Sequence, residues 1–292
     1  MASGSSFDAL NPEIWSIALQ ENLEKSLIAL DICSTALRDE LKVGDTIHKP
    51  YVSNISTVDY VPGTDFAVTG VTATDEGISA SVKKIAPFYV DDVWELQANY
   101  DFAATLAADA AYQLRDQIDQ LVLAYGSAIG ISALGTSGAD TGTFVTGTTA
   151  DVSAITATSA TIVDVFIAAR KYLRAGNVEE AGDWIAVITQ DIAGLIDRIT
   201  TEKGFQIADA SLRNGYAGDF LGFHIYLSNN LPTSKCIFGK RGSIDLVLQS
   251  APKMEIKEEP KKLGRNFVAW TVYGAGILTR NKNRTINAML TA

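Results

Sequence analysis

Histidine and carboxylate side chains are the residues of this chain best suited to acid–base or metal chemistry. The two histidines, His48 and His224, lie far apart, and neither has a second ligand at the spacing of a metal site. Both lie in strand-like segments, so a structural role is favoured for each. We predict no catalytic residue, no metal ligand and no cofactor. The alternative is a cytosolic α/β enzyme whose site is assembled from scattered residues, namely Asp183, Asp191, Asp197 and His224.

Glycine-rich stretches and cysteines give no stronger signal. Gly274-Ala275-Gly276 has no third glycine and no helix pattern after it, so it is not a dinucleotide-binding fingerprint. The stretch from Gly239 to Ser243 lacks the spacing of a phosphate loop. Cys33 and Cys236 form no CxxC pair and are expected to be buried as small apolar side chains.

The composition is that of a folded protein with an acidic balance. Of the 292 residues, 47% are hydrophobic and 20% are charged, which is ordinary for a globular chain. The formal net charge of −10 argues against a surface dominated by nucleic-acid contacts, because such surfaces carry clustered lysine and arginine. The N-terminus lacks a signal peptide, and no apolar run approaches the roughly 18 residues of a membrane span. A cytosolic protein without a membrane partner is expected.

Three basic residues near the end of the chain are a local exception to this balance. Arg280, Lys282 and Arg284 alternate, so they would share one face of an extended segment. A solvated strand face is favoured over a contact with phosphate or an acidic neighbour. A DNA-binding module built on this segment is a further alternative, which the net charge opposes.

Residues 45 to 88 have the pattern of a long β-ribbon. Alternating segments at 46–52 and 77–85 are separated by turn signals at Pro62-Gly63 and at 75–77. These segments contain too few large apolar residues to build a core of their own. Because an isolated two-stranded ribbon is marginal in water, this one should lie along another surface, in its own chain or in a neighbour. The pattern is typical of an assembly arm.

A long amphipathic helix follows the ribbon directly. Apolar residues recur at three- and four-residue spacing from Asp91 to Ser127, with Asp91 and Asp92 starting the helix and Gly126 ending it. An uninterrupted helix of this length spans roughly 55 Å. Its charged residues are mostly acidic, with Arg115 as the only basic residue set against them. They indicate either a solvated face or a face that repels nucleic acid. These acidic residues are Asp91, Asp92, Glu95, Asp101, Asp109, Asp116 and Asp119.

The remaining segments alternate between helix and strand patterns. A helix is predicted from Asn11-Pro12-Glu13 to about residue 38, and a Gly-, Ala-, Ser- and Thr-rich loop or linker over 127–158. An α/β stretch follows, with a helix over 159–175, a buried strand over 184–188 and a helix over 190–200. Strands are then predicted over 220–227, 235–238, 244–248, 266–278 and 285–290, with a charged turn over 257–262.

The order of these elements resembles that of tailed-phage major capsid proteins of the Hong Kong 97 type. The resemblance is carried by the helix opening at Asn11, the Val43-Gly44-Asp45-Thr46-Ile47 entry to the ribbon and the Val90-Asp91-Asp92-Val93 start of the helix. It is also carried by Trp184-Ile185-Ala186-Val187-Ile188 and by the stretch from Gly218 to the Asn230-Leu231-Pro232 turn. The match covers about residue 11 to residue 292.

The resemblance implies an α+β, Hong Kong 97-like capsid fold in five parts. These are an N-terminal arm and helix (1–44), an extended β-ribbon loop (45–90), a peripheral domain with a spine helix (91–150), an axial domain (151–262) and strands returning to the peripheral domain (263–292). The interface residues expected from this reading are Trp15, Tyr60, Val61, Phe66, Lys83, Lys84 and Glu95.

The implied function is a structural shell protein of the virion, assembled in the host cytoplasm. Such a protein forms hexamers and pentamers of an icosahedral shell around double-stranded DNA, without sequence-specific contacts. A portal is a further partner expected. The arm begins within about ten residues of Met1, which indicates a separate scaffolding protein, or none, in place of the fused scaffolding region that some members carry. The cross-link that some members form through a ribbon lysine is not carried over to Lys83 or Lys84. An encapsulin-type nanocompartment of the same fold is the structural alternative.

Overall fold

The computed structural model describes most of the chain. The described residues are 24–25, 27–37, 41, 44–66, 68, 70–97, 102–126, 132–137, 140–147, 152–178, 183–202, 218–232, 235–258 and 262–291. Among the described helices, none is both long and apolar enough to span a bilayer.

The described residues form helices and strands in a mixed order. The helices are α1 (Ala29–Ile32), α2 (Asp92–Gln97), α3 (Phe102–Gly126), α4 (Thr161–Ala175) and α5 (Gln190–Glu202). The first strands are β1 (Thr46–His48), β2 (Tyr51–Val52), β3 (Ala73–Thr74), β4 (Gly77–Ser79), β5 (Val82–Asp91), β6 (Ser132–Ser137), β7 (Asp140–Gly147) and β8 (Ile155–Thr156). The later strands are β9 (Trp184–Ile188), β10 (Asp219–Phe220), β11 (Phe223–Leu227), β12 (Lys235–Lys240), β13 (Asp245–Glu258), β14 (Gly264–Gly276) and β15 (Thr285–Thr291), with a 3₁₀ helix at Thr279–Arg284 before β15.

An eight-stranded sheet forms the larger core. Its order is β10-β11-β9-β12-β15-β6-β7, and β8 pairs with β15. The central strand β9 is buried along its whole length, as expected for a continuous apolar run covered on both faces. Trp184, Ala186 and Ile188 pack with α4 and α5 on one face. Ile185 and Val187 pack on the other face, against the C-terminal half of α3.

A three-stranded sheet of order β13-β14-β5 forms a second layer beside the first. Ala110 and Leu114, in the middle of α3, pack against Ala269 on β14. Val122 and Leu123, near the end of the helix, pack against the eight-stranded sheet. The helix rises about 1.5 Å per residue, so its 25 residues span roughly 37 Å and bridge both sheets.

The predicted ribbon is confirmed as an antiparallel pairing of residues 46–52 with residues 73–79. Thr46 lies opposite Ser79, and Val52 lies opposite Ala73, in one continuous register. The turn predicted at 75–77 is wrong, since these residues continue one side of the ribbon: Lys49 N donates to Glu76 O at 2.7 Å. The predicted strand over 77–85 is also divided, because β4 pairs within the ribbon whereas β5 pairs with β14.

The prediction for the α/β stretch is confirmed element by element. β9 has the predicted bounds, and α4 ends at Ala175 as predicted. Asn177 adopts the left-handed conformation with φ of 56°, and Val178 N donates to Leu173 O at 3.0 Å. This is a Schellman ending, in which asparagine takes the place usually filled by glycine.

Two other predictions are wrong or incomplete. Most of the N-terminal helix predicted from Asn11 to about residue 38 lies outside the described residues, up to residue 23; among the described residues only Ala29–Ile32 is helical, and Ser34 instead pairs with Asp245 as an isolated bridge. The segment 127–158, predicted as a loop, contributes β6, β7 and β8 to the eight-stranded sheet, where small β-compatible residues suffice for pairing. The last strand, β15, pairs with β12 and with β6, and β6 lies within the range 91–150 predicted for the peripheral domain. The domain boundaries themselves stay a prediction.

The long helix is present as α2 and α3. Residues 98–101, on which the prediction of an uninterrupted helix depends, lie outside the described residues. Asp91 begins α2 as predicted, since its carboxylate accepts a hydrogen bond from Val93 N at 2.9 Å. The helix α3 ends at Gly126, as predicted.

Candidate assembly surfaces

The ribbon ends in a long tip, residues 53–72. Ser53 N donates to Thr72 O at 2.9 Å, which closes the base of the tip in the register of the ribbon. A turn lies at its far end, where the amide of Thr64 donates to Val61 O at 3.2 Å and its hydroxyl donates to the same oxygen at 2.7 Å. Gly63 has a φ of +84° there, a conformation that glycine adopts without steric cost.

The ribbon tip exposes apolar side chains along its whole length. Phe66 is 67% exposed and Val68 is 84% exposed, values that leave both side chains in water. The other large apolar residues of the tip are Ile55, Val58, Tyr60, Val61 and Val71, and the exposed Val52 adjoins them at the end of β2. Exposed apolar patches of this kind mark sites of protein–protein contact.

Three of the predicted interface residues lie on this tip and one cannot be placed. Tyr60, Val61 and Phe66 are all exposed, whereas Trp15 lies outside the described residues. The sequence reasoning missed Ile55 and Val68, which are exposed to a similar extent. The signal that could have found them is the density of valine, isoleucine and aromatic residues between two ribbon strands that bury nothing.

A second exposed apolar surface is the face of the three-stranded sheet that points away from α3, here called the open face. Ile85 on β5 is 67% exposed, and its partner Trp270 on β14 is only half-buried. Trp270 Nε1 donates to Glu255 Oε1 at 3.1 Å, which fixes the indole ring. The predicted interface residues Lys83 and Lys84 lie beside Ile85 on this edge strand, both exposed.

The predicted interface residue Glu95 is engaged within its own chain. Arg265 at the start of β14 donates to Glu95 Oε2 at 2.6 Å, and its Nε lies 3.4 Å from Asp92 Oδ1. These pairs tie the first turn of α2 to the three-stranded sheet. Glu95 therefore contributes to the position of α2, and any contact of Glu95 with a neighbour would be additional.

Two of the acidic residues on α3 are buried, contrary to the predicted solvated or DNA-facing stripe. Asp119 is 1% exposed, and its Oδ1 accepts hydrogen bonds from Ile28 N at 2.9 Å and Ala29 N at 2.8 Å. It therefore caps the first amides of α1. Asp116, 5% exposed, accepts from Gln120 Nε2 at 2.7 Å.

Asn230 joins these two carboxylates to the eight-stranded sheet. Its Nδ2 donates to Asp116 Oδ1 at 2.7 Å and to Asp119 Oδ2 at 2.8 Å. Lys25 completes the group, donating to Asn230 Oδ1 at 2.9 Å and lying 3.6 Å from Asp116 Oδ2. This set of four side chains, here called the arm anchor, ties the N-terminal segment to α3 and to the loop after β11.

The enzyme alternative finds no support among the described residues. Asp183 precedes β9 and Asp191 follows it, so the two carboxylates lie at opposite ends of a five-residue strand. His224 contacts the exposed Asp219 of the neighbouring strand, and His48 Nδ1 lies 2.6 Å from Asp75 Oδ2 across the ribbon. In the described part of the chain, no cluster of three or more metal-ligating side chains occurs.

Both cysteines are buried as predicted. Burial is the main cause that raises the pKa of Cys33 to about 12, and the nearby charges of Asp119 and Asp245 add to it. Burial likewise raises the pKa of Cys236 to about 12. Neither thiol is a nucleophile at neutral pH, because the thiolate is the reactive form.

The late basic residues do not form an extended face, contrary to prediction. Arg280, Lys282 and Arg284 lie on the 3₁₀ helix between β14 and β15. The Arg280 guanidinium donates to Val52 O and lies 5.4 Å from the centroid of the Tyr51 ring. This arginine therefore contacts the ribbon of its own chain.

Comparison with solved structures shows the fold of phage capsid proteins. The chain is similar to one from Mycobacterium phage Che8, with a TM-score of 0.81 and 20% identity over 97% of this chain and 98% of the other. It is also similar to the capsid structure of the cyanophage P-SCSP1u, with a TM-score of 0.72 and 17% identity over 99% of this chain and 95% of the other. The predicted likeness to tailed-phage capsid proteins and the α+β class are confirmed.

A weaker likeness connects the chain to a virus-like particle from Pyrococcus furiosus. The TM-score is 0.50 and the identity 15%, over 84% of this chain and 86% of the other. No protein-family model and no curated protein matches the sequence.

Proposed function

We propose that this protein is the major capsid protein of a tailed phage, with a Hong Kong 97-like fold. It self-assembles into hexamers and pentamers of an icosahedral shell that encloses double-stranded DNA. The likeness of fold to phage capsid proteins over nearly the whole chain supports this proposal. The observation that carries it is the ribbon tip, whose apolar side chains have no partner surface among the described residues of the same subunit.

The energetics of the ribbon tip favour a partner. A two-stranded ribbon is marginally stable by itself, yet this one holds large apolar residues such as Ile55 and Phe66 in water. Burying one such side chain contributes about 1.5–3 kcal/mol. A closed shell of identical subunits supplies a surface for every tip, because each subunit that gives a ribbon also receives one.

The open face of a neighbouring subunit is the surface proposed to receive the tip. Both surfaces are apolar, and their charges are complementary. The tip carries Asp59 and Asp65 and no basic residue, whereas Lys83 shares the open face with Ile85, and the exposed Lys84 lies between them on the same edge strand with its side chain on the other face. Opposite charges at the rim of an apolar contact fix its register and suppress wrong pairings.

The finer features follow from the same proposal. The arm (1–44), ribbon loop (45–90), peripheral domain (91–150), axial domain (151–262) and returning strands (263–292) are proposed as its parts. DNA is enclosed without sequence-specific contacts, which suits the net charge of −10. A portal and a separate scaffolding protein are proposed partners, with the virion as the final location and the host cytoplasm as the place of assembly.

Shortening the ribbon tests the proposal. Replacing residues 54–71 by Asn-Gly keeps the pairing of β1 with β4 and of β2 with β3, and it removes only the tip. Sedimentation and negative-stain images of the full chain, with a scaffolding protein if one is needed, should show closed shells. The shortened chain should give the circular dichroism spectrum of a folded protein and should form no closed shells.

A matched substitution controls for loss of surface apolarity. Ile167 is 51% exposed on α4, a helix that packs on the eight-stranded sheet, so Ile167→Ser should assemble like the unchanged protein. Phe66→Ser and Val68→Ser together should not. Normal shells from the shortened chain would refute the role given to the tip. Particles filled with protein cargo and lacking DNA would favour the nanocompartment alternative.

A further inference from the structure

The base of the ribbon is gripped by the 3₁₀ helix that connects β14 to β15. Thr279 N donates to Glu76 Oε2 at 3.0 Å, and the Thr279 hydroxyl donates to Glu76 Oε1. Arg280 donates to Val52 O on the opposite side of the ribbon. The two contacts hold both sides of the ribbon, at sequence separations of 203 and 228 residues.

The 3₁₀ helix lies between the two sheets, so its contacts connect the ribbon to both of them. It follows the end of the three-stranded sheet at Gly276 and leads into β15 of the eight-stranded sheet. Thr285, the first residue of β15, donates to Ser243 Oγ at 2.7 Å and is buried. The residues that hold the ribbon are thus themselves fixed at the junction of the two sheets.

We propose that Thr279 and Arg280 form a clamp on the ribbon. The clamp fixes the direction of the ribbon relative to both sheets as long as the Glu76 carboxylate is negatively charged. Removing that charge, or either clamp side chain, lets the ribbon move relative to both sheets. The clamp is a property of the single subunit and does not depend on the proposed shell function.

The electrostatics of Glu76 support the clamp. The hydroxyl of Thr279 lowers the pKa of Glu76 below its ordinary value of 4.5; slight burial opposes this, and the Thr279 amide and Lys282 add to it. Glu76 is therefore charged at neutral pH. The other titratable groups nearby are Asp75 and His48, which contact each other on the ribbon, and Lys49, whose backbone amide donates to Glu76 O.

The contact of Arg280 with the ribbon has two components. Its guanidinium lies over the Tyr51 ring at 5.4 Å from the centroid, and cation–π contacts of this kind require the planar charged group. The hydrogen bond to Val52 O uses the same group. Arg280→Lys retains the charge but loses the planar donor, so it should weaken the clamp as well.

Pulsed electron–electron double resonance, which measures the distance between two spin labels, tests the proposal on the unassembled full-length subunit. Spin labels at Thr57→Cys on the tip and Ile167→Cys on α4 report the ribbon's direction, while the two native cysteines are buried and do not label. The unchanged background should give one narrow distance distribution at pH 7. Arg280→Ala, Thr279→Val and Glu76→Gln should each broaden it.

Hydrogen exchange provides a second measurement on the same variants. The amides of Lys49 and Ser53 donate within the ribbon, and their protection should fall roughly tenfold when a charged hydrogen bond is lost. Arg284→Ala is the matched control, because it removes an exposed arginine from the same 3₁₀ helix. Distributions as narrow as the unchanged one in all three clamp variants would overturn the proposal. Equal broadening by Arg284→Ala would also overturn it, since the 3₁₀ helix as a whole would then be responsible.

Discussion

A single carboxylate, that of Asp119, accepts hydrogen bonds from the amides of Ile28 and Ala29 at the start of α1 and from the side-chain amide of Asn230. Its replacement by alanine leaves the two backbone amides buried without an acceptor, while Asn230 Nδ2 keeps its bond to Asp116 Oδ1. Hydrogen bonds to a charged group contribute about 1.5–3 kcal/mol each in net terms, and an unpaired buried donor costs a similar amount. We therefore expect Asp119→Ala to lower the free energy of unfolding by about 3 kcal/mol or more, measured by urea denaturation of the unassembled subunit.

Asp109 on the same helix provides the comparison. It is only half-buried, so Asp109→Ala should change the unfolding free energy by about 0.5 kcal/mol or less. Similar losses in the two variants would mean that the arm anchor contributes nothing specific.

Asp245 makes the stability of the subunit depend on pH. Burial is the main cause that raises the pKa of this carboxyl above its ordinary value of 3.8, with Lys49 and Ser34 opposing the shift, and Oδ2 has no partner among the described residues. A carboxyl with a raised pKa in the folded state stabilises the fold below the unfolded pKa. That contribution is lost as pH rises through the folded pKa.

We therefore expect the stability difference between the unchanged protein and Asp245→Asn to depend on pH. The difference in unfolding free energy should shift in favour of the asparagine variant as pH is raised from about 4 towards 7. Urea midpoints at several pH values measure it. A difference that stays constant, or that shifts towards aspartate, would contradict the assignment.

At the scale of single residues, the sequence predicts burial where the residue type decides it, but not where a partner far along the chain decides it. Both cysteines are buried as expected, but the acidic residues on α3 divide into exposed and buried groups that sequence spacing does not distinguish. Asp116 and Asp119 can be buried because Asn230 donates to both carboxylates. Asn230 lies 114 and 111 residues further along the chain. A contact at that separation leaves no local pattern.

Among the elements, β14 and the ribbon approach one another so closely that only glycine fits at Gly274. A methyl group there would lie 2.0 Å from Ser79 O, a backbone atom of β4. Gly274→Ala must therefore displace the ribbon base from β14. Overpacking of this kind costs typically about 1–3 kcal/mol, and thermal unfolding of the subunit measures it.

Gly194 in the middle of α5 is the matched control for this substitution. A methyl group there has no atom within 4 Å, and alanine in a helix is favoured over glycine by about 0.5–1 kcal/mol. Gly194→Ala should raise the melting temperature while Gly274→Ala lowers it. A neutral or stabilising Gly274→Ala would show that β4 does not rest against β14 as described.

Elements with a strong local pattern could be predicted, and those defined by pairing could not. The strand β9 and the helices α4 and α5 follow from apolar periodicity and bounded runs. The division between β4 and β5 depends on a change of partner from β1 to β14, which their continuous alternation conceals. The strands β6 and β7 are rich in glycine, serine and threonine, and their large apolar residues are only Leu134 in β6 and Phe144 and Val145 in β7, so their apolar signal is weak.

For the whole molecule, the proposed docking of ribbon tip on open face predicts a charge-swap rescue. Lys83→Glu with Lys84→Glu should abolish shells, because the tip's Asp59 and Asp65 would then face like charges. Adding Asp59→Lys and Asp65→Lys to the same chain should restore them. Particle yield from sedimentation measures both outcomes.

A charge change elsewhere controls for net charge. Lys171 is exposed on α4, a helix that packs on the eight-stranded sheet, so Lys171→Glu should leave the yield unchanged. Failure of the fourfold variant to assemble, with each chain folded, would contradict this pairing of surfaces. Loss of shells in Lys171→Glu would mean that net charge alone controls assembly.

The arm anchor also constrains the order in which the newly made chain can fold. The carboxylates of Asp116 and Asp119 reach their full set of partners only when Asn230 arrives, after about four fifths of the 292 residues have been synthesised. Until then, α3 holds two acidic groups on the surface that must pack against β9 and β12, and burying them unpaired is costly. We therefore expect the two sheets to close around α3 late, near the end of translation, with an incomplete chain staying open.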